Sequence, residues 1–186
     1  MIALTLLLLS MIFNRGIVCR PRQSRIDEAW QYVNRHGMNT SLCVLVDYSL
    51  PSGCNRLWVW DFDDEEVVFE CPVAHGRGRS HNPRSVAQFS NQDGSWLSSL
   101  GKARIAERYT GRFGTSYRLD GLEETNSNLR PRCVVMHAYR TVPQRPIFPL
   151  PSGRSKGCVM VAEKNMQTLD AILEGHTDVL LFTYCQ

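Results

Sequence analysis

The stretch LCVLVDYSLPSGCNRLWVWDFDDEEVVFECPVA, residues 42–74, decides the fold class. It holds three runs rich in Val, Leu, Trp and Phe, at 42–48, 56–62 and 67–74. Such runs suit a pleated, half-buried surface, and their length is that of strands rather than helices. Between the first two lie Pro51, Ser52, Gly53 and Asn55, which punctuate a loop; between the second and third, DFDDEE makes a turn. The segment therefore reads as a β-hairpin with a long loop, extended into a meander.

Working outward, Ile26, Ala29, Trp30 and Val33 recur at helical spacing, and a helix is expected over 24–37, with Ser24 and Asp27 as a capping box and Gly37 as its stop. Residues 76–99 are polar and irregular but carry Phe89, Trp96 and Leu97; a loop of that length in a compact domain is usually functional. RYTGRFGTSYRLDGL (108–122) has glycines suited to tight turns around short strands. CVVMHAY (133–139) is a buried strand carrying His137, and a proline-rich loop follows it. Met166, Leu169, Ile172 and Leu173 mark a second helix ending at Gly175, and DVLLFTY (178–184) is a last strand. Strands and helices do not alternate, which excludes a doubly wound parallel sheet. The expectation is a mainly β (α+β) fold with a helix near each end.

The chain has 186 residues, 43% of them apolar, and a formal charge of +3. That suits one domain plus a leader. No dense Lys/Arg cluster accompanies the small charge, so nucleic acid is not an expected partner. Residues 2–13 are apolar except Thr5 and Ser10, the length of a signal-peptide core rather than of a spanning helix, and Arg15, Arg20 and Arg22 follow. Residues 1–23 are read as a signal peptide or N-terminal anchor, with membrane anchoring through this segment as one reading, and residues 24–186 as the folded domain, the one taken below as catalytic on the strength of a family resemblance. An exported, periplasmic or envelope location follows.

Of the seven cysteines, none forms a CxxC pair, and His36, His81 and His176 show no metal-ligand spacing, so neither a metal nor a cofactor is expected. Cys43, Cys71, Cys133 and Cys185 sit in apolar runs and read as small buried hydrophobes. Cys158 differs. It closes GRSKGC (153–158), behind a glycine and between basic residues. A cysteine nucleophile needs an accessible thiolate, a base and donors for an oxyanion. Gly157 permits backbone geometries in which successive N–H groups near 156–158 converge on one oxygen. Arg154 and Lys156 would favour the thiolate, Ser155 could orient a partner, and His137 lies 21 residues upstream, a distance cheap to close. These residues alone suit a buried Gly-Cys pair and a core histidine equally well.

The motifs FSNQDGSWLSSLG (89–101), RYTGRFGTSYRLDGLEETNSN (108–128), VVMHAY (134–139) and GRSKGC occur together and in order. In this the chain resembles the murein L,D-transpeptidase catalytic-domain family, a branch of the YkuD-type enzymes, over about residues 26–184. VDYSLPSGCNRLWVWDF (46–62) is similar to that family's first hairpin, and PVAHGRGRS (72–80), with His75, to its next strand and loop. The resemblance implies a YkuD-like β-sandwich or barrel and thioester chemistry on peptidoglycan stem peptides, as transpeptidase (3-3 cross-linking) or carboxypeptidase. Carbapenem-type β-lactams would be the inhibitors. By position, Cys158 matches the nucleophile, His137 the base, and Ser155 and Gly157 the Ser-x-Gly-Cys frame. Arg154, Asn91, Ser98, Ser99 and Tyr109 match residues expected at the substrate cleft, where turn geometry and packing are the competing role. Val159 stands where the family often has proline, Leu129 where a small residue is common, and KARIAERYTG (102–111) lacks an expected aromatic. None of these departures removes a reacting group. The competing functions are an inactive wall-binding module of the same fold and a different cysteine peptidase or amidase.

Overall fold

A computed structural model describes residues 19–80, 82 and 86–185. The apolar segment 2–13, with its reading as leader or anchor, lies outside the described residues. Among the described residues no helix is long and apolar enough to cross a membrane.

Helix α1 (Gln23–His36) opens the fold, then strands β1 (Leu42–Asp47), β2 (Leu57–Asp61) and β3 (Glu66–Cys71) form the antiparallel meander. Strands β4 (Gly101–Gly111) and β5 (Gly114–Gly121) make a long hairpin. Then come β6 (Val135–Ala138), β7 (Val159–Val161), helix α2 (Glu163–Leu173) and β8 (Val179–Tyr184). All eight strands share one sheet in the order β3-β2-β1-β8-β4-β5-β6-β7. Its two ends meet: the chain beyond β3 bridges β7 at Ala74–Met160 and the segment before β7 at Gly76–Ser155. The Ala74 N–H donates to the Met160 carbonyl at 2.8 Å, and the Ser155 N–H to the His75 carbonyl at 2.9 Å. The sheet is thereby rolled into a barrel-like form with two helices, the mainly β architecture expected.

Alternation along the central strands explains their unbroken apolar runs. Leu42, Val44 and Val46 of β1, with Val179 and Leu181 of β8, point into the main core, where Leu169 of α2 joins them. Cys43, Leu45, Leu180 and Phe182 point the other way, onto Ile26, Ala29 and Val33 of α1. β1 and β8 run parallel, and such strands are stable when covered on both faces.

The helix start differs from the expected capping box. Arg22 is the N-cap and no side chain caps the helix; with Gln23 already helical, Ser24 lies inside the first turn, and Asp27 accepts instead from Gln23 Nε2 at 2.9 Å. Gly37 does close the helix, at φ 61°. Of the periodic residues Ile26, Ala29 and Val33 are buried, while Trp30 is 43% exposed and packs its ring 5.0 Å from Phe62. The strands around the tight turn at 112–113 are longer than their sequence suggested, at 11 and 8 residues. Cys43 and Cys71 are buried as expected, but Cys185 is half-buried and Cys133 is exposed: a left-handed residue (φ 54°) ahead of β6, it falls outside the strand's alternation.

Candidate active site

β6 and β7 are parallel neighbours, with Met136 opposite Val159 and His137 opposite Met160. Cys158, one residue before β7, therefore sits beside Val135, and His137 is the diagonal neighbour on the same face. Residues 134, 136, 159 and 161 fill the barrel core, so Cys158 and His137 share the outer face. The sheet register brings the nucleophile and base candidates to one place.

Each is held by its surroundings. His137 Nδ1 lies 2.8 Å from the Ala138 carbonyl oxygen. A carbonyl only accepts, so Nδ1 carries the proton and Nε2 presents its lone pair. The Phe113 ring stacks on the imidazole, with centroids 4.3 Å apart and planes 18° from parallel. Burial holds the His137 pKa below its ordinary 6.5; the bond to Ala138 opposes this and the charge of Arg112 adds to it. Burial likewise pushes the Cys158 thiol above 9.0, against the backbone N–H of Val135 and the charge of Arg132. The resting pair is thus a neutral thiol and a neutral imidazole. They make no hydrogen bond to each other; the Cys158 sulfur approaches the Cys133 carbonyl at 4.0 Å.

The frame around the cysteine is built from backbone and hydroxyl groups. Ser155 Oγ donates to the Cys158 carbonyl at 2.8 Å and accepts the Gly157 N–H at 3.1 Å. That N–H is therefore engaged within the loop, whereas the N–H groups of Cys158 and Val135 are the ones that favour the thiolate. Gly157 has φ +116°, and a Cβ there would stand 2.9 Å from the Leu97 carbonyl oxygen. Ser98 Oγ donates to the Gly157 carbonyl and accepts the Gly76 N–H, at 3.1 and 2.9 Å.

The remaining candidates are placed as follows. Ser99 Oγ donates to the Ser90 carbonyl and accepts from Arg132. Asn91 bonds to the Glu124 carbonyl, Ser127 and Asn128, pinning the 76–99 loop to the turn beyond β5. Of these side chains, Ser98 braces the loop that carries the cysteine, through the Gly157 carbonyl, whereas Asn91 and Ser99 hold the 90–99 stretch to the residues beyond β5 and to Arg132. Tyr109 pairs with Ser116, which pairs with His137, so it occupies the same row two strands away; Arg118 stacks over its ring at 5.0 Å. Arg154 donates to the Ser80 carbonyl at 2.9 Å, and Lys156 lies over the Trp96 ring at 4.7 Å.

Arg132 acts on the thiol by its charge, lowering the pKa that burial raises. Its guanidinium donates to Ser90 O, Ser99 Oγ, Ser95 Oγ and Leu97 O, at 2.8, 2.8, 3.2 and 2.7 Å. Sequence reasoning passed over Arg132 and Phe113. The signals were an arginine one residue before an apolar strand and an aromatic at the tip of a two-residue turn. Among the described residues, no group of three or more His, Cys, Asp or Glu is arranged to hold a metal ion.

Residues 22–184 match the L,D-transpeptidase catalytic domain of YkuD type, and the chain belongs to that family. No curated protein matches it significantly. Among solved structures it is similar to the helical cell shape determining protein Pgp2 from Campylobacter jejuni, with 9% identity over 78% of this chain and 48% of that one, at a TM-score of 0.53. An L,D-transpeptidase from Mycobacterium smegmatis aligns at 10% identity over 77% of this chain and 58% of its own, with a TM-score of 0.47. The L,D-transpeptidase LdtMt1 in complex with imipenem aligns at 12% identity, 77% and 59% coverage and a TM-score of 0.45. The chain spans about half the length of these structures.

Proposed function

We propose that the protein is a cysteine acyl-transferase acting on peptidoglycan stem peptides. The observation that carries this reading is the placement of Cys158 diagonal to His137 on one sheet face, with the His137 tautomer set by the Ala138 carbonyl. Family membership supports it. Nε2 takes the thiol proton as sulfur attacks the carbonyl just before the terminal D-alanine of a tetrapeptide stem. The oxyanion rests on backbone N–H groups beside Cys158. Nε2 returns the proton to the departing amine, leaving a thioester. A side-chain amine of a neighbouring stem then resolves it as a 3-3 cross-link, or water resolves it as a carboxypeptidase product. A carbapenem acylates the same sulfur. Starting as a neutral pair suits this sequence, because the proton moves only as the bond forms.

The test is product analysis by mass on tetrapeptide muropeptides, with Cys158→Ala as control. Dimers made only by the wild type identify a transpeptidase. Loss of D-alanine without dimers identifies a carboxypeptidase. Undiminished turnover by Cys158→Ala, or no product from either protein, overturns the reading.

A further inference from the structure

All seven cysteines are thiols in this structure, and the chemistry proposed above uses only Cys158. Among the described residues, no second thiol bears on Cys43, Cys71 or Cys185. Cys19 and Cys54 are different, because the fold brings them to each other from 35 positions apart in sequence.

The chain enters the fold beside the β1–β2 loop. Arg22 Nε lies 3.6 Å from Asp47 Oδ2, at the end of β1. The Asp47 N–H donates to the Arg56 carbonyl at 2.9 Å, and the Cys54 N–H to the Pro51 carbonyl at 3.0 Å, so the loop turns Cys54 back towards the end of β1. Cys19, three residues before Arg22, meets it there. The two side chains belong to one buried cluster with Ile26, Ala29 and Val33 of α1, and their thiols are within hydrogen-bonding reach of each other. Cys19 is 7% exposed and Cys54 2%. Cys19 falls in the segment read from sequence as leader or anchor, yet its burial places it in the folded part of the chain. The loop that carries Cys54 is itself fastened. The Gly53 carbonyl accepts the N–H groups of Ile147 and Phe148 at 2.8 and 3.1 Å, and Ser52 Oγ accepts that of Ser152 at 3.1 Å. A bond between the two sulfurs would tie the start of the fold to this anchored loop.

We infer that Cys19 and Cys54 form a disulfide site, closed as the chain folds in contact with a disulfide oxidant, and that Cys158 stays a free thiol. One cysteine thiolate attacks the oxidant's disulfide, which releases one thiol and leaves a mixed disulfide. The other thiolate attacks the protein sulfur of that mixed disulfide and releases the second thiol. The protein loses two protons and two electrons, and the oxidant becomes two thiols. Burial of both sulfurs sets this exchange before packing is complete and shields the bond afterwards. The inference is independent of acyl transfer at Cys158.

The test unfolds the reduced full chain in urea, dilutes it into a buffer of reduced and oxidised glutathione, and then blocks free thiols with iodoacetamide in urea. Chymotrypsin, which cuts at Tyr48 between Cys43 and Cys54, gives peptides that are mapped by mass without reduction. The expected result is one linked pair, Cys19 with Cys54, and an alkylated Cys158. A second readout is stability. Dithiothreitol lowers the urea midpoint of the oxidised wild type and leaves that of Cys54→Ala unchanged, because the link restricts the unfolded chain. Cys19 and Cys54 both recovered as free thiols, either of them joined to another cysteine, or a wild-type midpoint indifferent to dithiothreitol overturns the inference.

Discussion

At the scale of single residues, the account turns on protons. Burial raises the Cys158 thiol and lowers the His137 imidazole, so both are neutral near pH 7. Alkylation of Cys158 by iodoacetamide is therefore expected to accelerate with pH to beyond 9, without a plateau near 6, as followed by peptide mass mapping. Arg132 acts on the thiol by charge and on the loop by four hydrogen bonds, and two variants separate these roles. Arg132→Gln slows alkylation and costs about 1–3 kcal/mol of stability through the oxygens left unpaired, measured by urea unfolding; Arg132→Lys keeps the alkylation rate closer to wild type than the stability. His75 carries a linkage prediction. Its folded pKa is held to about 3 by burial, then by Arg56 and Arg154, against 6.5 as a free side chain. Below 6.5 the unfolded chain takes up a proton that the folded one does not, so the contribution is complete above 6.5 and is lost as pH falls towards 3. The expected slope is at most about 1.4 kcal/mol per pH unit, and it flattens in His75→Gln, which cannot titrate.

At the scale of elements, the site depends on strands that meet only in the fold. The turn at 112–113 delivers Phe113 onto His137. Phe113→Ala opens that face to water, so the His137 pKa rises back towards 6.5, a shift measurable by NMR titration. Gly157 is the tightest point of the nucleophile loop, and Gly157→Ala is expected to cost about 1–3 kcal/mol, because its backbone is left-handed and the Leu97 carbonyl blocks a Cβ. Cys158, His137 and the Ser155–Gly157 frame could be named as candidates from a short motif and an apolar strand, but their roles came from the family resemblance, because a Gly-Cys pair and a strand histidine suit a packed core equally well. The support given by Ser98, Asn91 and Arg132 was not legible, because it joins residues 22 to 59 positions apart, and side-chain type does not say which partner a hydroxyl or amide will find. The helix start was missed for a local reason: Ser24 has the chemistry of a cap, but the chain turns helical at Gln23.

At the scale of the whole molecule, the meander, the two helices and the β-rich class could be read from periodicity. The closure could not. The parallel β1–β8 pair joins residues more than 130 positions apart, and Ala74–Met160 closes the ends of the sheet; neither leaves a local pattern. The closure places Cys158 on an outer face while its neighbours Val159 and Val161 fill the core, so the nucleophile candidate rests on a rigid wall. The claim on which everything else depends is that this sulfur, among seven, is the one that becomes acylated. The most direct measurement is the intact mass of the protein after incubation with a carbapenem, followed by peptide mapping. The account predicts one adduct, on Cys158, absent in Cys158→Ala and slowed in Arg132→Gln. An adduct on exposed Cys133, or no adduct at all, would contradict it.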